Sequence, residues 1–288
     1  MIAMNLSSKT ALQRSENTPN RYHPARYYFL TVLITWATWL IAAYLSYQPG
    51  GESSFVMFLI PGMMAPTLVG LGMILFSKSR ELKQGFARKL FDLRLIRPAS
   101  LLPVALLMPA VVVISIAIST LIGQPVSQFR PAEEFTAMAL VILVLASTFE
   151  ELGWRGYAMD SLCQGRSYFS ATLIFAGLWV VWHLPLFLVN GYYQNELLRT
   201  NPLFAVNFLV SLVPLAVIVS WLYRVNRGSI GLIILFHLIV NIGQEALQMG
   251  QVAKCIETVV LLGVAAAIVL LNKSLFFDQT EQAASLAN

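Results

Sequence analysis

The stretch LLPVALLMPAVVVISIAISTLI, residues 101–122, runs for 22 positions without one Asp, Glu, Lys or Arg. A helix rises about 1.5 Å per residue, so a run of this length crosses the roughly 30 Å hydrocarbon core of a bilayer. A helix at the surface of a soluble domain keeps one polar face, and this one has none. Similar runs lie near 55–76 and 27–47 towards the N-terminus, and near 136–158, 168–190, 203–225, 229–247 and 255–272 towards the C-terminus. The run at 229–247 is the least apolar, because its second half carries Asn241, Gln244 and Glu245. The chain is 57% hydrophobic and 11% charged, with a mean hydropathy of +0.70. Soluble domains carry about 25% charged residues, so this excess of apolar surface calls for lipid. The expected fold is all-α: a polytopic membrane protein, a bundle of about eight transmembrane helices.

The basic residues give the expected orientation. Counted over alternate connecting segments, Lys and Arg number sixteen on one side and three on the other, the three being Arg130, Arg199 and Lys254. Lys and Arg concentrate in cytoplasmic loops, so this alternation predicts an even number of spans with both termini in the cytoplasm. No short apolar stretch with a small-residue cleavage site follows the polar start, so residues 27–47 are expected to remain as an uncleaved anchor. The segment 78–97 is basic, with Leu82, Phe86, Leu90 and Leu93 at near-helical spacing. Two readings stand for it: a helix lying on an anionic membrane surface, or a solvated connector. The expected organisation is a cytoplasmic segment at 1–26, N-terminal membrane helices with a basic loop at 27–135, a membrane core at 136–247, and a last helix with a short disordered tail at 248–288. The net charge of +5 is accounted for by the loops, so no nucleic-acid partner is expected. Cys163 and Cys255 are too few for a disulfide framework or a cysteine-based zinc site and read as small buried residues.

Ionisable groups within a bilayer cost at least about 2.5–3.5 kcal/mol on insertion scales, so each is a functional candidate. Three runs break the apolar pattern, with Glu150-Glu151-Leu152-Gly153-Trp154-Arg155 in the fourth, Trp179 and His183 in the fifth, and His237 and Asn241 in the seventh. Glu151 and Arg155 stand four apart, share a helix face and can pair. Glu150 is rotated about 100° from Glu151 and is free of that pair. A carboxylate held that way in a low-dielectric site can serve as a general base. His237 and Asn241 are likewise four apart, and Glu245 continues their stripe. Gly153 and Gly156 permit close approach of a neighbouring helix or a substrate backbone. Each group also has a plain structural reading: a Glu–Arg clamp, or a histidine bonding one helix to the next. Glu257, near the start of the eighth run, is expected at the interface as a structural group. The Gly70-x-Gly72 pair follows no strand, so it marks no nucleotide site. Neither H-E-x-x-H nor G-x-S-x-G occurs, which argues against a zincin or a serine hydrolase. Taken together, carboxylates, two imidazoles and an amide from three helices can activate water and hold an oxyanion. A proton- or ion-coupled transporter and a non-catalytic membrane partner are the competing functions. Against the transporter, the chain has no inverted repeat with matched broken helices.

The texts EELGWRG, WHLP and FHLIVN, in this order on successive membrane runs, resemble the CPBP family of intramembrane peptidases. This is the CAAX-protease and bacteriocin-processing group, also called Abi, related to the type II CAAX prenyl protease. The match covers roughly residues 136–245. The family patterns are Glu-Glu-x-x-x-Arg, Phe-x-x-x-His and His-x-x-x-Asn or Asp. The resemblance implies peptide-bond hydrolysis in a cavity open to the cytoplasm and the membrane interior. It makes Glu150 the base that activates water, with His183 beside it. His237 and Asn241 stabilise the oxyanion, and Arg155 positions the Glu pair through Glu151. The one departure is Trp179 where the family has Phe, from which only a change of pocket shape is expected. A mechanism without a cofactor is expected. The alternative is zinc on Glu150, His183 and His237, although Asn241 suits an oxyanion better than zinc. The expected partners are the lipid bilayer and a peptide or membrane-protein substrate. The expected location is a multi-pass position in a bacterial inner (plasma) membrane, where an unprenylated substrate is expected.

Overall fold

In the computed structural model, residues 22–50, 54–125, 128–129 and 136–278 are described. Lys9, Arg14, Arg21 and Arg130, which enter the charge alternation, lie outside them, as do tail residues 279–288. The helices in chain order are α1 (Pro24–Ser46), α2 (Ser54–Leu75), α3 (Arg80–Phe91), α4 (Leu101–Leu121), α5 (Ala137–Leu162), α6 (Tyr168–His183), α7 (Tyr193–Thr200), α8 (Pro202–Val225), α9 (Ile230–Ala246), α10 (Gln251–Leu271) and α11 (Lys273–Phe277). Several begin at side-chain caps: Thr136, Ser167, Asn201 and Ser229 each accept a bond from a backbone N–H in the first turn that follows.

Seven of these helices, counting the one-turn extensions of α4 and α6, have 21 to 26 residues and are apolar enough to cross a membrane. The eighth of the expected spans is α9, which has 17 residues and reaches about 26 Å, short of a full hydrocarbon core. Its end has a cause in the backbone. At β2 (Leu247–Gln248) the chain leaves the helix and pairs antiparallel with β1 (Gln128–Phe129). The outer surface is apolar, with Leu102, Val113, Met138 and Leu203 each well exposed. Such a belt is stable only against lipid. The interior is aromatic, with Tyr27, Trp154, Tyr157, Tyr168 and Phe175 fully buried. The chain is an integral, multi-pass membrane protein.

Two expectations are corrected. Residues 273–277 of the tail are not disordered: they form α11, and Phe276 is fully buried against Tyr168 and Phe169. Nor is α3 a free connector. Its inner residues Leu82, Phe86 and Leu90 pack on the bundle, and Lys89 forms an ion pair with Asp160 of α5. Burial pulls the Lys89 ammonium's pKa down, and the Asp160 carboxylate more than offsets it, so the net direction is upward. Only the outer residues, such as Phe91 and Leu93 at 76% and 75% exposed, stay open.

The approach of α2 to α5 sets the position of the site. A Cβ added at Gly153 falls 2.3 Å from the Pro66 carbonyl carbon, so no side chain fits there. At Gly156 a Cβ falls 2.7 Å from the Phe86 ring. Both glycines therefore admit this chain's own elements. Gly153→Ala is expected to push α2 from α5 and cost about 1–3 kcal/mol, read as a lower thermal midpoint in detergent micelles. An unchanged midpoint removes the argument for close packing here.

Candidate active site

The helix α5 carries three of the expected residues. Four residues after its buried Ser147 comes Glu151, which is 1% exposed, and four after that comes Arg155, also 1% exposed. Their ion pair spans 3.4 Å between Nη1 and Oε2. The helix widens to a π-turn over Trp154–Ala158, where Arg155 sits. Such turns are rare and recur at functional positions. The guanidinium lies over the Phe175 ring of α6 at 4.4 Å. Among the described residues none of its three nitrogens has a hydrogen-bond partner. Tyr223 Oη donates to the Arg155 carbonyl at 2.9 Å and so anchors the backbone of the turn.

Two rungs join α5 to α9. His237 Nδ1 lies 2.8 Å from Glu151 Oε1, and one turn away Asn241 Nδ2 donates to Ser147 Oγ at 3.1 Å. The i,i+4 spacing on each helix makes the rungs parallel. Glu150 takes no part in them. Its Oε2 accepts from the indole N–H of Trp179 of α6 at 3.2 Å and from that of Trp154 at 3.4 Å. His183 ends α6 with Nδ1 at 2.7 Å from the Trp179 carbonyl. A carbonyl only accepts, so Nδ1 carries the proton and Nε2 presents a lone pair.

Trp179 stands at the centre. Its ring meets that of His183 edge-on at 5.7 Å and that of His237 at 6.3 Å, while its N–H holds Glu150. Glu150, Glu151, Arg155, His183, His237 and Asn241 are thus gathered from three helices into one buried region. Trp179 does more than alter pocket shape, because it makes a hydrogen bond that a Phe at this position cannot make. Glu245 is exposed. Glu257 is buried and accepts from Gln244 Nε2 at 2.7 Å, a structural contact between α9 and α10.

Four partners escaped the sequence reading. Ser147 and Trp154 lie four residues before Glu151 and four after Glu150, a spacing that places each on its neighbour's face. Phe175 under Arg155 and the Trp179 donor to Glu150 join different helices, and no local spacing reveals them. For zinc, the donors do not fit as placed: among the described residues no three His, Cys, Asp or Glu converge to hold a metal ion.

Residues 132–243 match the family model described as type II CAAX prenyl endopeptidase Rce1-like. The chain is 41% identical over 264 residues to a protein of Methanococcus maripaludis named CAAX prenyl protease 2, covering 90% of this chain and 97% of that relative.

Proposed function

The chain belongs to the Rce1-like family of type II CAAX prenyl endopeptidases and is a membrane protease, and from that premise we propose that Glu150 is the base of its hydrolytic reaction. The observation that carries the proposal is the separation of roles between adjacent carboxylates. Glu151 is committed to Arg155 and His237, while among the described residues Glu150 accepts hydrogen bonds only from indoles. An indole N–H cannot take up a proton, so Glu150 keeps its capacity to accept one.

In the proposed reaction Glu150 takes a proton from a water that also donates to the free Nε2 of His183. The water oxygen attacks the scissile carbonyl carbon, and the carbonyl oxygen becomes an oxyanion. An imidazolium His237, paired through Nδ1–H with Glu151, offers Nε2–H to that oxyanion, and the Asn241 amide offers a second donor. The C–N bond then breaks, and Glu150 returns its proton to the leaving amine. Arg155 balances Glu151, so the buried charges compensate one another. Protein groups alone supply this chemistry, and zinc is given no step. Residues 136–247 form the catalytic core, with both termini on the cytoplasmic side of the plasma membrane, a reading supported by the placement of Lys and Arg.

The proposed substrate is a membrane-delivered peptide ending in a Cys-aliphatic-aliphatic-X sequence, after the name of the relative. Purified protein in liposomes is given two such peptides, one farnesylated and one not, and release of the C-terminal tripeptide is followed by mass spectrometry. Release is expected, faster from the farnesylated peptide because it partitions into the bilayer. If folded protein cleaves neither peptide, this substrate assignment fails.

A further inference from the structure

Glu150 is held by an unusual pair of donors. Trp154 is one turn along its own helix, and Trp179 comes from α6. Both indoles reach the same atom, Oε2. Trp154 is buried among Tyr28, Phe175 and Trp182, and Trp179 stacks on Phe175 and meets both histidine rings. Neither ring can turn without breaking aromatic packing, so the two N–H groups are fixed in direction. An indole N–H is a donor only. It stabilises the carboxylate without competing for its proton. With Oε2 occupied twice, Oε1 is the oxygen with no indole on it.

We propose that Trp179 and Trp154 are a positioning pair that pins Oε2 of Glu150 and thereby leaves Oε1 to receive the proton of the attacking water. The inference rests on the reading of Glu150 as the base. A carboxylate with both oxygens free rotates about its terminal torsion, which is broad and two-fold. Two fixed donors on one oxygen remove that freedom before substrate arrives, and preorganisation of this kind acts on the chemical step rather than on binding. The device depends on tryptophan at position 179, where a Phe would keep the ring contacts and lose the bond.

The test replaces single atoms. Trp179 is substituted by Phe, and separately by 3-benzothienylalanine, which keeps the bicyclic shape and puts sulfur where the N–H stands. The same isostere is placed at Trp154. Peptide cleavage in liposomes gives kcat and KM, and thermal unfolding in detergent reports folding. The expected result at Trp179 is a fall in kcat of about tenfold for both variants, with KM and the unfolding midpoint nearly unchanged, the size expected of one hydrogen bond to a charged group. The Trp154 isostere is expected to lose less, given its longer bond, and the doubly substituted protein more than either. Wild-type kcat in the Trp179 isostere overturns the inference. So does a loss confined to Trp179→Phe, which would make ring bulk the cause, or a rise in KM at constant kcat. Glu150→Gln serves as the separate control. If that variant still cleaves, the base assignment fails; if it is inactive while the Trp179 isostere is unimpaired, only the positioning role fails.

Discussion

Glu150→Gln is expected to abolish peptide cleavage while leaving the protein folded. The amide has the shape of the carboxylate, and its oxygen accepts the same two indole bonds at Oε2. It has no useful basicity, so it cannot take the proton of the attacking water. General-base contributions are typically about a hundred- to ten-thousandfold. The loss is expected at the upper end, because the other carboxylate nearby is occupied: Glu151 is bound to His237 and paired with Arg155. Stability should hold or rise, since a neutral amide in a buried site costs less than a charge. The measurements are initial rates of tripeptide release and the unfolding midpoint of the same preparation. Near-wild-type rates would remove Glu150 from the chemistry and return the site to a structural clamp.

The second large effect is on stability. Arg155→Met is expected to destabilise the bundle by about 3 kcal/mol, because it removes one of the two groups that compensate the buried Glu151 carboxylate and leaves only the His237 ring beside it. Loss of the guanidinium over Phe175 adds about 0.5–2 kcal/mol. Met roughly conserves volume, so the effect belongs to charge rather than to a cavity. The double variant Arg155→Met, Glu151→Gln separates the two. With both charges gone, most of the stability should return, since Gln still accepts from His237. Cleavage should not return, because His237 then has no carboxylate to hold it as an imidazolium. A double variant no more stable than Arg155→Met would show that Arg155 acts by packing alone. Both comparisons are read from thermal or denaturant unfolding in detergent.

Much of the site is legible before any coordinates. The pairs Glu151–Arg155 and His237–Asn241 follow from i,i+4 spacing, as does the freedom of Glu150 from Arg155. The same spacing held Ser147 and Trp154 within reach as partners. What spacing cannot show is a donor on another helix. Trp179 to Glu150 and Phe175 under Arg155 depend on how α6 rotates against α5, where Trp154 meets Phe175. For the amphipathic segment 78–97 the sequence allows a helix on a membrane surface or a solvated connector, and a packing of its apolar face on protein is not among those readings. That packing goes with Lys89 finding Asp160, 71 residues away in the chain.

By itself the sequence determines that this chain is an all-helical membrane protein with a few buried ionisable groups. Uninterrupted apolar runs and the one-dimensional rules of helix geometry are enough to require it. Only the tertiary structure decides that α9 stops short at β2, that α3 is clamped to the bundle, and that two indoles hold one oxygen of Glu150. Each of these requires at least one contact between residues distant in the chain. Its energy depends on the relative rotation and depth of whole helices, which no local stretch encodes.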